Sequence, residues 1–193
     1  MAEPLIAYFG FGSLVNRATH RTQIVDAFPA RLIGWRRHWR PRPDMPGFPA
    51  ALLTIRPEAG AGCDGLIVID RLGNLAAVDA REARYERVEL SRLAFDLKAD
   101  LCGVSSLFAY VAQEHLPEHR EPPAILRSYL DAVMQGFAAE HGDAGLVRFV
   151  AETDGFNLPV REDRDAPIYP RAVVVTPAER QRFDELVPPR RGI

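Results

Sequence analysis

The stretch YFGFGSLVNR, Tyr8 to Arg17, sets the reading of this chain. It closes an apolar run, Leu5 to Phe11, that reads as a short buried strand. A Gly-Phe-Gly-Ser turn comes next, and then the chain turns polar. The turn is not a dinucleotide fingerprint, because Val15 stands where G-x-G-x-x-G needs its third glycine. It lacks the Gly-Lys-Ser/Thr of a P-loop and the spacing of the G-x-S-x-G nucleophile elbow. Two readings remain. The glycines simply turn a strand corner, or the N–H groups of Gly12, Ser13 and Leu14 form a nest for a carboxylate or a developing oxyanion.

Working outward, strands are expected at Ala30–Arg40, Pro49–Ile55, Asp64–Ile69, Val88–Leu97 and Ser105–Gln113. RPRPDMPGFP and RPEAGAG read as turn-rich connections. Asn74–Arg84, rich in Ala, Arg and Glu, reads as helix, as do Ala124–His141, Asp143–Glu152 and Pro177–Leu186. Residues 155–171 read as loop. Strands with one early helix, then helices near the end, predict an α+β fold. The expected sheet is curved and mainly antiparallel, closing into a small barrel in a single domain over residues 1–193.

Composition excludes several classes. A net charge of −2 over 193 residues gives no support to nucleic-acid or anionic-membrane binding. No apolar run approaches the roughly 18 residues of a membrane span. The first residues carry an acid where a signal peptide has basic ones. Two cysteines, Cys63 and Cys102, make neither a disulfide framework nor a Cys-based zinc site, so a reducing cytoplasmic home is expected. HLPEH, His115 to His119, matches a zinc pattern in letters, but Pro117 breaks the helix that pattern needs. No metal or other cofactor is therefore expected.

Two further positions carry candidate chemistry. In WRRHWRPR, strand alternation puts Ile33, Trp35, Arg37 and Trp39 on one face. Arg37 then either stacks on indole rings or meets an anionic ligand. On the Asn74–Arg84 helix, Leu75, Val78, Glu82 and Tyr85 follow one face, with Arg81 and Arg84 assigned to the opposite side. A carboxylate thus occupies a core position. Glu82 is either paired structurally, with Arg37 or Tyr85 as partners, or kept as a proton acceptor whose pKa burial would raise.

In combination these motifs resemble the gamma-glutamylcyclotransferase superfamily, and its ChaC-like branch in particular. Phe11-Gly12-Ser13-Leu14 stands where that family has Tyr-Gly-Ser-Leu. GWRRHW, Gly34 to Trp39, is similar to its Gly-x-x-Arg-Arg-Phe-Trp segment, and MPGFPAALLTI to the Pro-Gly turn and strand that come next. AVDAREARY, with Asp79, Arg81, Glu82 and Tyr85, resembles its Leu-Asp-x-Arg-Glu helix and following Tyr. The clear likeness runs from about Leu5 to Gln113. Beyond it, PPAILRSYLDAVMQGF looks like the family's Pro-x-x-x-Tyr helix and nominates Tyr129 for the rim of the site. Phe11 in place of Tyr and His38 in place of Phe are the departures.

The resemblance implies a metal-independent enzyme, a monomer or homodimer, acting on a small gamma-glutamyl substrate. The substrate's α-amine attacks its own γ-carbonyl and releases 5-oxoproline, with Glu82 as the base. Phe11, Gly12, Ser13, Leu14, Arg37, Tyr85 and Tyr129 would contact substrate. Two alternatives stay open: a non-catalytic small-molecule binding member of the same fold, and an unrelated α+β protein in which Glu82 is structural.

Overall fold

The computed structural model describes residues 3–42, 50–83, 85–96, 101–112 and 123–188. Its central strand is β1 (Leu5–Gly10), whose residues Ile6 to Phe9 are at most 1% exposed. An unbroken apolar run suits a strand covered on both faces. The long β2 (Asp26–Arg42) and β3 (Ala50–Arg71) pair antiparallel over almost their whole length. β3 in turn pairs antiparallel with β1. On the other side of β1, β6 (Val104–Ala112) pairs parallel, and β4 (Tyr85–Glu89) pairs antiparallel with β6. The two-residue β5 (Phe95–Asp96) and β8 (Thr153–Asp154) add to β2. A separate ladder joins β7 (Ile125–Leu126) to β9 (Val160–Arg161).

Helices α1 (Leu75–Arg81), α2 (Arg127–Ala151) and α3 (Pro177–Leu186) complete an α+β fold with a curved, mainly antiparallel sheet. The sheet runs β4-β6-β1-β3-β2-β5 and stays open, in contrast to the expected small barrel. Among the described residues its outermost β5 spans two residues, and no ladder joins it to β4.

Two strand expectations change. The described part of the expected strand 49–55, from Ala50 on, and Asp64–Ile69 are parts of one strand, because β2 supplies partners on both sides of the intervening RPEAGAG. The register jumps there, between the pairs Ile33–Gly62 and Trp35–Pro57. Gly34, at φ 81°, takes the left-handed backbone on the β2 side of this bulge. The bulge inverts the alternation: Leu32 is buried and Ile33 is 48% exposed, whereas Arg37 and Trp39 are buried beyond it. Val88–Leu97 resolves into the end of β4, a 3₁₀ turn at Arg92–Ala94 and β5.

The two helices expected at 124–141 and 143–152 follow one another within α2, which begins only at Arg127. They break at Gly142, whose φ is 66°. Phe137 and Phe149, one on each side of the break, stack 4.6 Å apart and are buried. Both rings pack on Arg37 of β2, and truncating either to Ala is worth about 3–5 kcal/mol. α3 is framed by Pro177 at its start and by a capping box, Thr176 with Glu179.

Candidate active site

β1 delivers the Phe11–Leu14 turn to the end of the sheet, where a 3₁₀ turn, Ser13–Val15, begins at once. The carbonyls of Gly12 and Ser13 accept from Val15 and Asn16. The N–H groups of Gly12, Ser13 and Leu14 have no acceptor among the described residues. Tyr129, on the first turn of α2, lies directly over the turn: a Cβ at Gly12 would stand 2.9 Å from its hydroxyl. Position 12 therefore has no room for a side chain.

Glu82 is the C-cap of α1, with φ −102° and ψ 27°, so the helix ends at Arg81, four residues before Tyr85 starts β4. Its side chain is 13% exposed, and its Oε1 accepts from Arg81 Nε at 2.8 Å. Oε2 has no partner among the described residues. Arg81 is 8% exposed and also donates to the Thr19 carbonyl at 2.8 Å, Thr19 Oγ1 at 3.1 Å and Ser13 Oγ at 3.3 Å. This corrects the assignment of Arg81 to the opposite side. It lies three residues after buried Val78 and so shares that residue's side of the helix. The structural partner of Glu82 is this neighbour, not Arg37 or Tyr85.

A cavity of about 120 Å³ is lined by Ser13, Arg81, Glu82, Tyr85, Tyr129, Tyr169 and Arg171, with small apolar residues of β3. A second, smaller cavity of about 30 Å³ is lined by Phe11, Gly12, Leu14 and Tyr110 and shares Ser13, Glu82, Tyr85 and Tyr129 with the first. The structure thus brings together Phe11, Gly12, Ser13, Leu14, Glu82, Tyr85 and Tyr129. Phe11 and Tyr129 are buried, at 7% and 9% exposure. Tyr85 donates its hydroxyl to the Leu53 carbonyl at 3.1 Å, and Tyr110 donates to Asp79 Oδ1 at 2.7 Å. Burial pushes the Tyr129 hydroxyl pKa far up, with Tyr169 and Glu82 adding to the shift, so Tyr129 is a neutral phenol.

Arg37 is the expected site residue that the structure places elsewhere. It is 2% exposed, beneath α2, with its guanidinium 4.7 Å from the Phe137 ring centre and 5.0 Å from that of Phe149. It donates to the Asp64 carbonyl, to Thr153 Oγ1 at 3.3 Å and to Cys63 Sγ at 3.0 Å. Cys63 is fully enclosed there, and burial pushes its thiol pKa up. Arg37 therefore stacks on aromatic rings, but on phenyl rather than indole rings, and contributes to packing. HLPEH lies outside the described residues.

Nothing in the local sequence pattern pointed to Tyr169 and Arg171. Asp163 fixes their loop to the start of α2, accepting from the Ser128 N–H at 2.7 Å, Ser128 Oγ at 2.5 Å and the Ile168 N–H at 3.0 Å. Tyr169 then packs edge-on against Tyr129, ring centres 5.0 Å apart. The contacts of this loop with Ser128 span 35 to 41 residues of sequence.

No family model matches the sequence, and no curated protein matches it either. Solved structures do. A gamma-glutamyl cyclotransferase aligns over 94% of this chain and 99% of its own, with a TM-score of 0.57 at 13% identity. A Homo sapiens protein described as uncharacterized aligns over the same shares, with a TM-score of 0.58 at 16% identity. At such identities the likeness is one of fold: this chain is built on the fold of a gamma-glutamyl cyclotransferase.

Proposed function

We propose that this protein is a gamma-glutamylcyclotransferase-type enzyme that releases 5-oxoproline from a gamma-glutamyl compound. One observation carries the reading. Two adjoining cavities that share Ser13 and Glu82 bring a carboxylate oxygen without a partner among the described residues, Glu82 Oε2, beside a turn whose N–H groups, Gly12 to Leu14, have no acceptor among them.

The substrate's α-ammonium gives a proton to Glu82 Oε2 while Arg81 holds Oε1 still. The freed amine nitrogen attacks the γ-carbonyl carbon, and the carbonyl electrons move onto oxygen. The N–H groups of the turn stabilise that oxyanion or hold the α-carboxylate. Collapse breaks the bond from the γ-carbon to the leaving nitrogen, which takes the proton back from Glu82, while the ring nitrogen gives its surplus proton to water and becomes the lactam N–H. Closing a five-membered ring is intramolecular, so much of the catalysis lies in holding one conformer against Tyr85, Tyr129 and Phe11. Ser13 acts through its backbone amide, its hydroxyl being engaged by Arg81. The GWRRHW and AVDAREARY segments favour the ChaC-like branch of the superfamily.

A second reading, a binding member of the fold without turnover, rests on Phe11, which lacks the hydroxyl of the family's Tyr. The Tyr129 phenol over Gly12 places a hydroxyl beside the same turn and favours the enzyme. The test is 5-oxoproline release from a panel of glutathione, gamma-glutamyl amino acids and gamma-glutamyl alkylamides. Release from at least one is expected. Binding without release from any would select the second reading.

A further inference from the structure

We propose that Arg171 is a specificity-determining residue that receives a carboxylate on the leaving-group half of the substrate. The inference rests on the gamma-glutamyl reading of the cavity and deepens it. Arg171 and Glu82 line the same cavity, with Tyr169 and Tyr129 on the wall it shares with them. The Arg171 guanidinium lies 5.2 Å from the Tyr169 ring centre, and its Nε donates to the Tyr169 hydroxyl at 3.1 Å. That bond fixes the plane of the guanidinium and leaves both Nη groups unengaged among the described residues. A paired Nη edge is the geometry that grips a carboxylate with two parallel bonds.

Six other arginines differ from Arg171 in this. Arg17, Arg31, Arg36, Arg56, Arg148 and Arg164 all hold carboxylates at 3.0 Å or closer. No carboxylate among the described residues lies within ion-pair distance of Arg171. Its loop is nevertheless held firmly, through the buried Asp163 and Ser128. A cation oriented at a cavity wall with its charge unanswered is suited to a ligand's charge. Glu82 and the Gly12–Leu14 turn take the gamma-glutamyl head, so Arg171 meets the group beyond the γ-amide nitrogen. The preferred leaving group is an amino acid or peptide, which carries a carboxylate, rather than a simple amine.

The test is calorimetric binding and 5-oxoproline release with a matched pair, gamma-glutamyl-alanine and gamma-glutamyl-ethylamide. The intact protein is expected to bind the carboxylate-bearing member about tenfold or more tightly, in line with a charge-assisted bond. Arg171→Gln is expected to abolish that preference. Equal binding of the pair by the intact protein, or a preference that survives Arg171→Gln, overturns the inference. Carboxylate-dependent binding without any release leaves it standing and removes the catalytic reading instead. Release from both members without preference does the reverse, and binding of neither overturns both.

Discussion

Two largely enclosed arginine–carboxylate pairs, one on α2 and one at the end of α1, differ in one oxygen. At Asp131, Arg164 donates to both carboxylate oxygens, at 2.7 and 2.9 Å, with the side chains 3% and 7% exposed. Arg164 also reaches Asp184 at 3.0 Å. At Glu82, which lines a cavity, Arg81 holds Oε1 alone and Oε2 has no partner among the described residues. A cavity of about 300 Å³ borders Asp131 and Arg164 as well, so a neighbouring void does not by itself make a site. What separates the two is whether the carboxylate has a spare oxygen. On the proposed mechanism, the closed pair is structural and the open one exchanges a proton.

The largest effect expected from breaking that contrast is on the closed pair. Arg164→Met leaves Asp131 buried without its hydrogen-bonded partner, and the unfolding free energy in urea should fall by about 3–5 kcal/mol. A loss below about 1 kcal/mol would mean the closed pair is not structural. Arg81→Met should instead act on rate, since it frees Oε1. Steady-state kinetics should show kcat falling about ten- to hundredfold, the worth of hydrogen bonds to a charged group. An unchanged kcat would remove Arg81 from the positioning of Glu82.

A third expectation concerns acid. Burial pushes the pKa values of His20, His38 and His141 down, that of His38 to about 4. Between about pH 6.5 and 4 the unfolded chain therefore binds more protons than the folded one. Stability from these groups is complete above the unfolded value and falls as pH drops through that window. Urea midpoints measured from pH 7 to 5 should decline, and His38→Gln should shallow the decline. A midpoint flat with pH would contradict the burial of these rings. The smallest effect belongs to Ser13→Ala. It removes only a 3.3 Å contact from Arg81 and keeps the backbone N–H, so kcat/KM should change by less than about fivefold. A loss as large as that from removing the base would bring back a serine nucleophile.

Local chemistry made much of this fold legible. Pro177 and the Thr176–Glu179 capping box bound α3 where the sequence predicts it. The strand at Leu5 and the turn at Gly12 are products of an apolar run ending in glycines. Non-local geometry was not legible. Strict alternation fails along β2 because the Gly34 bulge inverts it, exposing Ile33 beside buried Arg37. RPEAGAG looks like a connection but lies within β3, since the partner strand decides. At the site, the helix face pointed to Glu82, but the partnership of Arg81 depends on Thr19 and Ser13, more than sixty residues earlier. Tyr169 and Arg171 reach the cavity only through the Asp163–Ser128 anchor, which no periodicity encodes.

The difference between the open and the closed carboxylate is tested most directly by Glu82→Gln, assayed for 5-oxoproline release alongside its urea midpoint. The amide is nearly isosteric, keeps an oxygen for Arg81 and cannot take the ammonium proton. The expected result is an unfolding midpoint close to that of the unaltered protein, with release reduced by ~10²–10⁴-fold. A folded Glu82→Gln protein that releases 5-oxoproline at the original rate would contradict the assignment, and Glu82 would then be a structural acid like Asp131.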